Sequence, residues 1–110
     1  FGDNPTPGMS MTGTSQATIE SCPPGVLGPD LRACAAYDGA VTAASTVSCA
    51  TTLILGALDR MTPRKTAQPL VDAMVGATVV ELAASGHAPM MEEPDTVRSV
   101  LGEHLVRATV

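Results

Sequence analysis

The stretch that decides the fold is LILGALDRMTP, residues 53–63. Its apolar part is aliphatic and does not alternate with polar residues, which is typical of a strand that is buried on both faces of a parallel sheet. The apolar run ends at Gly56, and a lone carboxylate, Asp59, follows three residues later. We therefore predict a strand over residues 47–55 with an acidic side chain just past its carboxyl end.

The residues that follow continue the pattern of a parallel α/β unit. Thr62 and Pro63 favour a helix start, because threonine is a good cap and proline suits the first helical position. Residues 77–82 predict a second strand, and Pro94 begins a final helix. This order predicts an α/β fold with parallel strands and flanking helices over residues 47–110. The predicted inner faces of the two helices are Ala67, Leu70, Val71 and Met74, and Val97, Val100, Leu101 and Leu105.

Residues 1–46 have a different character. Prolines and glycines interrupt residues 1–29, so we expect a loop-rich, cap-like or lid-like segment with short helices over residues 15–21 and 30–38. This segment offers no strand to pair with the predicted strand at residues 47–55. The sheet is therefore expected to be incomplete, and the chain to be part of a longer protein.

Composition and charge exclude several classes of function. The chain has 110 residues, enough for one small domain, and 45% of them are hydrophobic, which favours a packed globule over disorder. Its net charge is −5 and its six basic residues are scattered, whereas nucleic-acid and membrane-surface binding need clustered Lys and Arg. No apolar run approaches the ~20 residues that span a bilayer. We expect neither a nucleic-acid nor a membrane partner.

The cysteines indicate a reducing compartment. Cys22, Cys34 and Cys49 are odd in number and irregularly spaced, which fits neither a disulfide framework nor a zinc site. We predict three free, buried thiols and a cytoplasmic protein that needs no metal and no other cofactor.

A second polar signal follows the second predicted strand in SGHAPMMEEPD, residues 85–95. The carboxyl ends of neighbouring parallel strands lie at the same edge of a sheet, so Asp59 and His87 are expected to meet there. A carboxylate that accepts a hydrogen bond from Nδ1 fixes the imidazole tautomer and leaves Nε2 free to take a proton from a nucleophile. We predict that Asp59 and His87 are a catalytic acid and base.

LILGALDRMTP, together with ELAASGHAPMMEEPDTVRSVLGEHL (residues 81–105), resembles the C-terminal part of α/β-hydrolase-fold enzymes. The family shows the motifs G-x-x-D, T-P, G-H and E-x-P in this order. Here they are Gly56 with Asp59, Thr62-Pro63, Gly86-His87, and Glu92 or Glu93 with Pro94-Asp95. The resemblance covers roughly residues 47–107 and implies that Asp59 is the triad acid and His87 the triad base. PPGVLGPDLRACAAYDGA, residues 23–40, resembles the end of a cap segment in bacterial members.

The resemblance also implies a nucleophile upstream, in a G-x-S-x-G turn, with the oxyanion hole in the same half. The nearest match is GMSMTG, residues 8–13, in which Ser10 occupies the serine position but Thr12 stands in the place of the last glycine. The preceding FGDNPTP is polar and proline-broken, whereas the turn needs a buried strand before it. The nucleophile therefore stays unknown, with Ser10 as a candidate, and the substrate-binding residues are unknown as well.

The predicted function is hydrolysis of an ester, a lactone or a similar acyl bond of a small apolar substrate through a nucleophile-His-Asp triad. Without its nucleophile, the 110-residue chain is expected to be inactive alone. One alternative is a haloalkane or epoxide hydrolase with an Asp nucleophile. Another is a non-catalytic α/β binding or interaction module, which should be a stable monomer, whereas an incomplete sheet should form oligomers through its exposed strand edge.

Other side chains are predicted to have structural or surface roles. Glu92, Glu93 and Asp95 are expected to favour the positive end of the last helix. His104 is predicted to be a partly exposed surface residue. The remaining residues near the predicted site are a solvated basic cluster, Arg60, Arg64 and Lys65, and three methionines that can form apolar walls, Met61, Met90 and Met91.

Overall fold

The computed structural model of the chain describes residues 11–108. In chain order the elements are α1 (Met11–Glu20), α2 (Leu27–Ala36), α3 (Ala40–Ala44), β1 (Thr52–Gly56), α4 (Arg64–Ala73), β2 (Thr78–Leu82), α5 (Pro89–Glu92) and α6 (Pro94–Ala108). Within this part of the chain, β1 and β2 form a two-stranded parallel sheet in which Thr52 lies opposite Thr78 and Gly56 opposite Leu82. The predicted α/β class, with a helix between two parallel strands, is confirmed.

Strand β1 begins five residues later than predicted. The backbone N–H groups of Ser45, Thr46 and Val47 donate to carbonyls of α3, so these residues extend the end of that helix. Helix α3 was not predicted; it begins directly after Gly39, which is its N-cap residue. Local sequence patterns distinguish poorly between a short apolar helix and the beginning of a strand.

Helices α1 and α2 both begin earlier than predicted. Helix α2 starts at Leu27, which places Pro29 in its first turn, where a missing N–H breaks no intrahelical bond. The chain leaves the helix at Tyr37, whose backbone is extended (φ −77°, ψ 118°). The prediction over residues 30–38 therefore identified the helix but shifted its boundaries by two to three residues.

The prediction that Thr62 caps α4 is wrong. Helix α4 begins at Arg64 with Pro63 in the capping position, and no side chain makes a capping hydrogen bond there. The Thr62 hydroxyl donates to Asp59 instead, at 2.6 Å. After α4 the chain turns through Gly76, whose φ of 86° favours glycine, and enters β2 at Thr78.

Few apolar side chains are buried, and most of them lie on α6 and at the end of β2. The buried apolar side chains of the described residues are Ala44, Leu82, Val97 and Val100. The predicted inner face of α6 is wrong for two residues: Leu101 and Leu105 are 52% and 64% exposed. The predicted face of α4 is only half-buried, because a two-stranded sheet offers it little surface to pack against.

The three cysteines are free, as predicted, but they are not buried. Cys34 and Cys49 are exposed and Cys22 is intermediate. Cys34 lies on α2, which buries none of its residues, and Cys49 lies in the loop before β1. Across residues 11–108, no helix combines the length and the apolar character needed to span a bilayer.

Candidate active site

The loops after β1 and β2 are joined through their backbones. The Ala57 N–H donates to the Leu82 carbonyl, and the Leu58 N–H donates to the Ser85 carbonyl, each at 2.9 Å. These two hydrogen bonds continue the parallel pairing past the ends of the strands. They hold the loop that contains the predicted acid, Asp59, against the loop that contains the predicted base, His87.

Gly56 makes this approach sterically possible. It is buried, and a Cβ at this position would collide with the backbone carbonyl oxygens of Ser85 and Gly86. Because those atoms belong to the main chain, they could not rotate away as a flexible side chain can. The glycine is therefore required by the close contact between the two loops.

Asp59 and His87 are brought into contact at this edge of the sheet. His87 Nδ1 lies 2.9 Å from Asp59 Oδ2. An ionised carboxylate only accepts hydrogen bonds, so Nδ1 carries the proton of this bond and Nε2 is left for exchange with another group. The Asp59 side chain is 9% exposed and the His87 side chain 45%, which shields the acid while the base stays accessible.

Three further donors complete the surroundings of the Asp59 carboxylate. Oδ1 accepts from the backbone N–H groups of Met61 (2.8 Å) and Thr62 (3.0 Å), and Oδ2 accepts from the Thr62 hydroxyl. Burial acts to raise the pKa of Asp59, but the hydrogen bonds from the Thr62 hydroxyl, the His87 ring and the two amides outweigh it. They hold the pKa of this carboxyl well below its usual range, so Asp59 is ionised at neutral pH.

Two glutamates hold the loop around His87, a role that their predicted place at the start of the last helix did not indicate. Glu92 is 5% exposed, and its carboxylate accepts from the backbone N–H groups of Gly86 (2.9 Å) and Ala88 (3.0 Å). Glu93 accepts from the hydroxyl of Ser85, which is fully buried, at 2.7 Å. The only sequence signal was the acidic pair before a proline, which equally fits a helix start.

A pocket of about 230 Å³ opens beside the Asp59–His87 pair. Its lining residues are Ile54, Leu55, Gly56, Asp59, Thr62, His87, Pro89, Met90 and Val97. A second and more apolar pocket, of about 390 Å³, lies between α3, α4 and the end of β1 and shares Leu55 and Thr62 with the first. Of the three methionines predicted near the site, Met90 lines the first pocket, whereas Met61 is 73% exposed.

The remaining candidates lie elsewhere or outside the described residues. His104 is half-buried, and its Nδ1 lies 3.0 Å from Thr52 Oγ1, a link between α6 and the start of β1 that the sequence did not indicate. In the basic cluster, Arg64 Nε lies 3.6 Å from a Glu81 carboxylate oxygen. Ser10 lies outside the described residues. Between residues 11 and 108, no group of three or more His, Cys, Asp or Glu side chains is arranged to hold a metal ion.

The structure thus brings together the two residues that were predicted to meet, and their catalytic role stays a prediction. The same edge of the sheet carries a pocket and a buried glutamate, Glu92, that holds the base-bearing loop. A scan against models of protein families and a search of curated proteins found no match to the chain.

Proposed function

We propose that this chain supplies the acid and the base of a nucleophile-His-Asp triad in an α/β-hydrolase-fold enzyme that acts on an ester, a lactone or a similar acyl bond. The observation that carries the proposal is the 2.9 Å contact between His87 Nδ1 and Asp59 Oδ2 at the carboxyl edge of a parallel sheet. Active sites of α/β proteins gather at this edge. The accessible imidazole and the shielded carboxylate have the exposures that a base and its partner need.

The proposed chemistry follows from the protonation of the pair. His87 Nε2 takes the proton of the nucleophile as that group bonds to the acyl carbon, and the ionised Asp59 stabilises the imidazolium that forms. The imidazolium then gives this proton to the leaving group as the acyl bond breaks. Water, deprotonated by the same nitrogen, releases the acyl group and restores the nucleophile.

The nucleophile and the oxyanion donors are proposed to lie outside residues 11–108. Ser10 is the candidate within the chain, and the resemblance places the nucleophile on a strand-turn-helix further upstream. A Ser or Cys nucleophile would give acyl transfer, whereas an Asp nucleophile would give the haloalkane or epoxide chemistry. The proposal commits to acyl transfer.

An apolar acyl substrate fits the two pockets best. Apart from Asp59 and His87, no residue that lines either pocket is charged. Leu55 and Thr62 border both pockets, so a small acyl group beside the pair can extend from the first pocket towards the second. Burial of such a group is favourable at about 25 cal/mol for each Å² of apolar surface.

Covalent labelling tests the proposal. The polypeptide of the complete reading frame, whatever its length, is treated with a fluorophosphonate, and the labelled residue is located by mass spectrometry. We expect one labelled nucleophile, a strong loss of labelling in His87→Ala, and p-nitrophenyl ester hydrolysis that the 110-residue chain alone lacks. Labelling that proceeds at an unchanged rate without His87 would contradict the proposed base. Robust hydrolysis by the 110-residue chain with label on Ser10 would move the nucleophile to that residue.

The exposed apolar surface bears on the second candidate function, a non-catalytic α/β interaction module that is a stable monomer. Leu101 and Leu105 are more than half exposed, and Leu101 lines a groove of about 290 Å³ with Ile54 of β1. We propose that this surface and the outer edge of β1 take part in oligomers. Light scattering after size-exclusion chromatography distinguishes the two: association supports an incomplete sheet, and a monomer at every concentration supports a stand-alone module.

We propose a cytoplasmic location on the basis of the three cysteine thiols. Cys22, Cys34 and Cys49 are all free, and two of them are exposed. Exposed free thiols suit a reducing compartment. Thiol titration of protein isolated from cells under acid quenching would measure their state directly.

A further inference from the structure

We propose that Glu92 is a positioning residue that fixes the orientation of the His87 imidazole. This inference rests on the proposed role of His87 as the base, and it adds a residue outside the triad to the machinery. Glu92 does not act on a substrate in this proposal. It acts through the backbone on either side of His87.

The geometry of the Glu92 carboxylate supports this role. Oε2 accepts from the Gly86 N–H at 2.9 Å, and Oε1 accepts from the Ala88 N–H at 3.0 Å. Each oxygen thus binds one amide, one on the residue before His87 and one on the residue after it. A single rigid group restrains the main chain on both sides of the base, and with it the direction in which the side chain leaves the backbone.

Helix α5 gives Glu92 this position. Ala88 stands just before α5, and the Glu92 N–H donates to the Ala88 carbonyl at 3.0 Å while the Glu92 carboxylate returns to the Ala88 N–H. This reciprocal pair resembles the logic of a capping box, in which a side chain reaches back to an unpaired backbone donor. The short helix therefore folds the glutamate back over the loop that precedes it.

Glu92 is buried, so the groups around its carboxylate must take the place of water. A carboxylate that is 5% exposed loses most of its hydration, and hydrogen bonds to a charged acceptor offset that loss. Gly86 is itself buried, so its N–H would have no access to water if Glu92 were apolar. Glutamine keeps the size but replaces one acceptor with an N–H₂ donor, so it can serve only one of the two amides.

The test is the tautomer of His87, read from the ring nitrogen chemical shifts in the 110-residue chain. In the unmutated chain, neutral His87 should carry its proton on Nδ1, where Asp59 accepts it. In Glu92→Gln, the ratio of the Nδ1–H to the Nε2–H tautomer should fall about tenfold, which is the size of one weakened hydrogen bond. The matched control is Glu103→Gln, the same chemical change on the exposed side of α6, and it should leave the ratio unchanged.

A purely structural role for Glu92 would lower the melting temperature but leave the tautomer ratio of the folded protein unchanged, and that result would overturn the inference. The proposed function would then still stand, because Asp59 alone would orient the ring. A His87 that already favours Nε2–H in the unmutated chain would overturn both proposals.

A measurement on the unmutated chain covers the case in which Glu92→Gln does not fold. Scalar couplings across hydrogen bonds should connect the Gly86 and Ala88 amide nitrogens to the carboxyl carbon of Glu92. Their absence in folded protein would overturn the inference without any variant. Glu92→Asp is the milder substitution, since it keeps the charge but shortens the reach, and it should shift the tautomer ratio in the same direction.

Discussion

Residues 11–50 and residues 51–108 contrast in what holds them in place. The first region carries three helices but only one buried side chain among its described residues, Ala44. The second carries both strands, the remaining buried side chains and the candidate site. The helices of the first region thus bury few side chains, whereas the site depends on contacts between distant parts of the chain.

The side-chain hydrogen bonds of the two regions show the same contrast. In α1, the Gln16–Glu20 bond and the bond from Thr18 to the Thr14 carbonyl each span four residues. In the second region, the Asp59–His87 bond spans 28 residues. Substitutions in the second region should therefore affect stability and activity together, whereas substitutions in the first region should affect neither strongly.

The largest effect is expected on turnover. In the active polypeptide, His87→Ala should lower kcat/KM by about 10⁴, because the nucleophile loses its base. The double variant with Asp59→Asn should lose little more than His87→Ala alone, since the two residues act as a unit. His104→Ala is the matched control, since His104 does not line the site pocket, and near-normal activity is expected. Ester hydrolysis at saturating and limiting substrate gives both kinetic constants; near-normal turnover of His87→Ala would end the triad assignment.

The next effect concerns the contact between the two loops. Gly56→Ala should destabilise the fold by about 3 kcal/mol, because its Cβ meets main-chain carbonyls that cannot move aside. Gly102→Ala in α6 is the matched control: the added carbon would point into open space, and a helical alanine should stabilise the fold by about 0.5–1 kcal/mol. Urea denaturation measures both. Equal stability of the two variants would show that the loops do not approach as described.

The third effect depends on pH. At neutral pH, Asp59→Asn should lower the free energy of unfolding by about 2 kcal/mol, as expected for lost hydrogen bonds to a charged group. The pKa of Asp59 is lower in the folded state than the ordinary value of 3.8, so its stabilisation is present above that value and is lost as the pH falls below it. The stabilities of the two proteins should therefore converge in acid.

Denaturation curves from neutral pH downwards measure this convergence. Asp38→Asn is the control, because Asp38 is exposed and lies outside the helices, so its substitution should change stability by less than about 0.5 kcal/mol at any pH. A constant difference between the unmutated chain and Asp59→Asn at every pH would contradict the lowered pKa.

The smallest effects are expected in the first region. Leu31→Ala on α2 should change stability by less than about 0.5 kcal/mol, since Leu31 is 59% exposed. Val100→Ala on α6 should cost about 2 kcal/mol, because Val100 is 7% exposed and its methyl groups leave a cavity. Thermal unfolding of both variants checks this; a Leu31→Ala loss as large as that of Val100→Ala would mean that α2 is packed after all.

Much of the second region could be predicted from the sequence because its signals are local. Apolar runs predicted both strands, and Pro94 correctly predicted the start of α6. The parallel order of the strands then implied that Asp59 and His87 meet. The start of β1 was missed because the apolar residues from Val47 onwards fit the end of α3 as well as a strand.

The sequence alone predicted the order β1, α4, β2 and α6 and the placement of one acid and one histidine after successive parallel strands, because periodicity and turn residues act over a few positions. It is the three-dimensional packing that buries Glu92 and brings Gly56 against the His87 loop. These outcomes depend on which groups meet across space. Burial and hydrogen bonding between distant residues have no local signature in the chain.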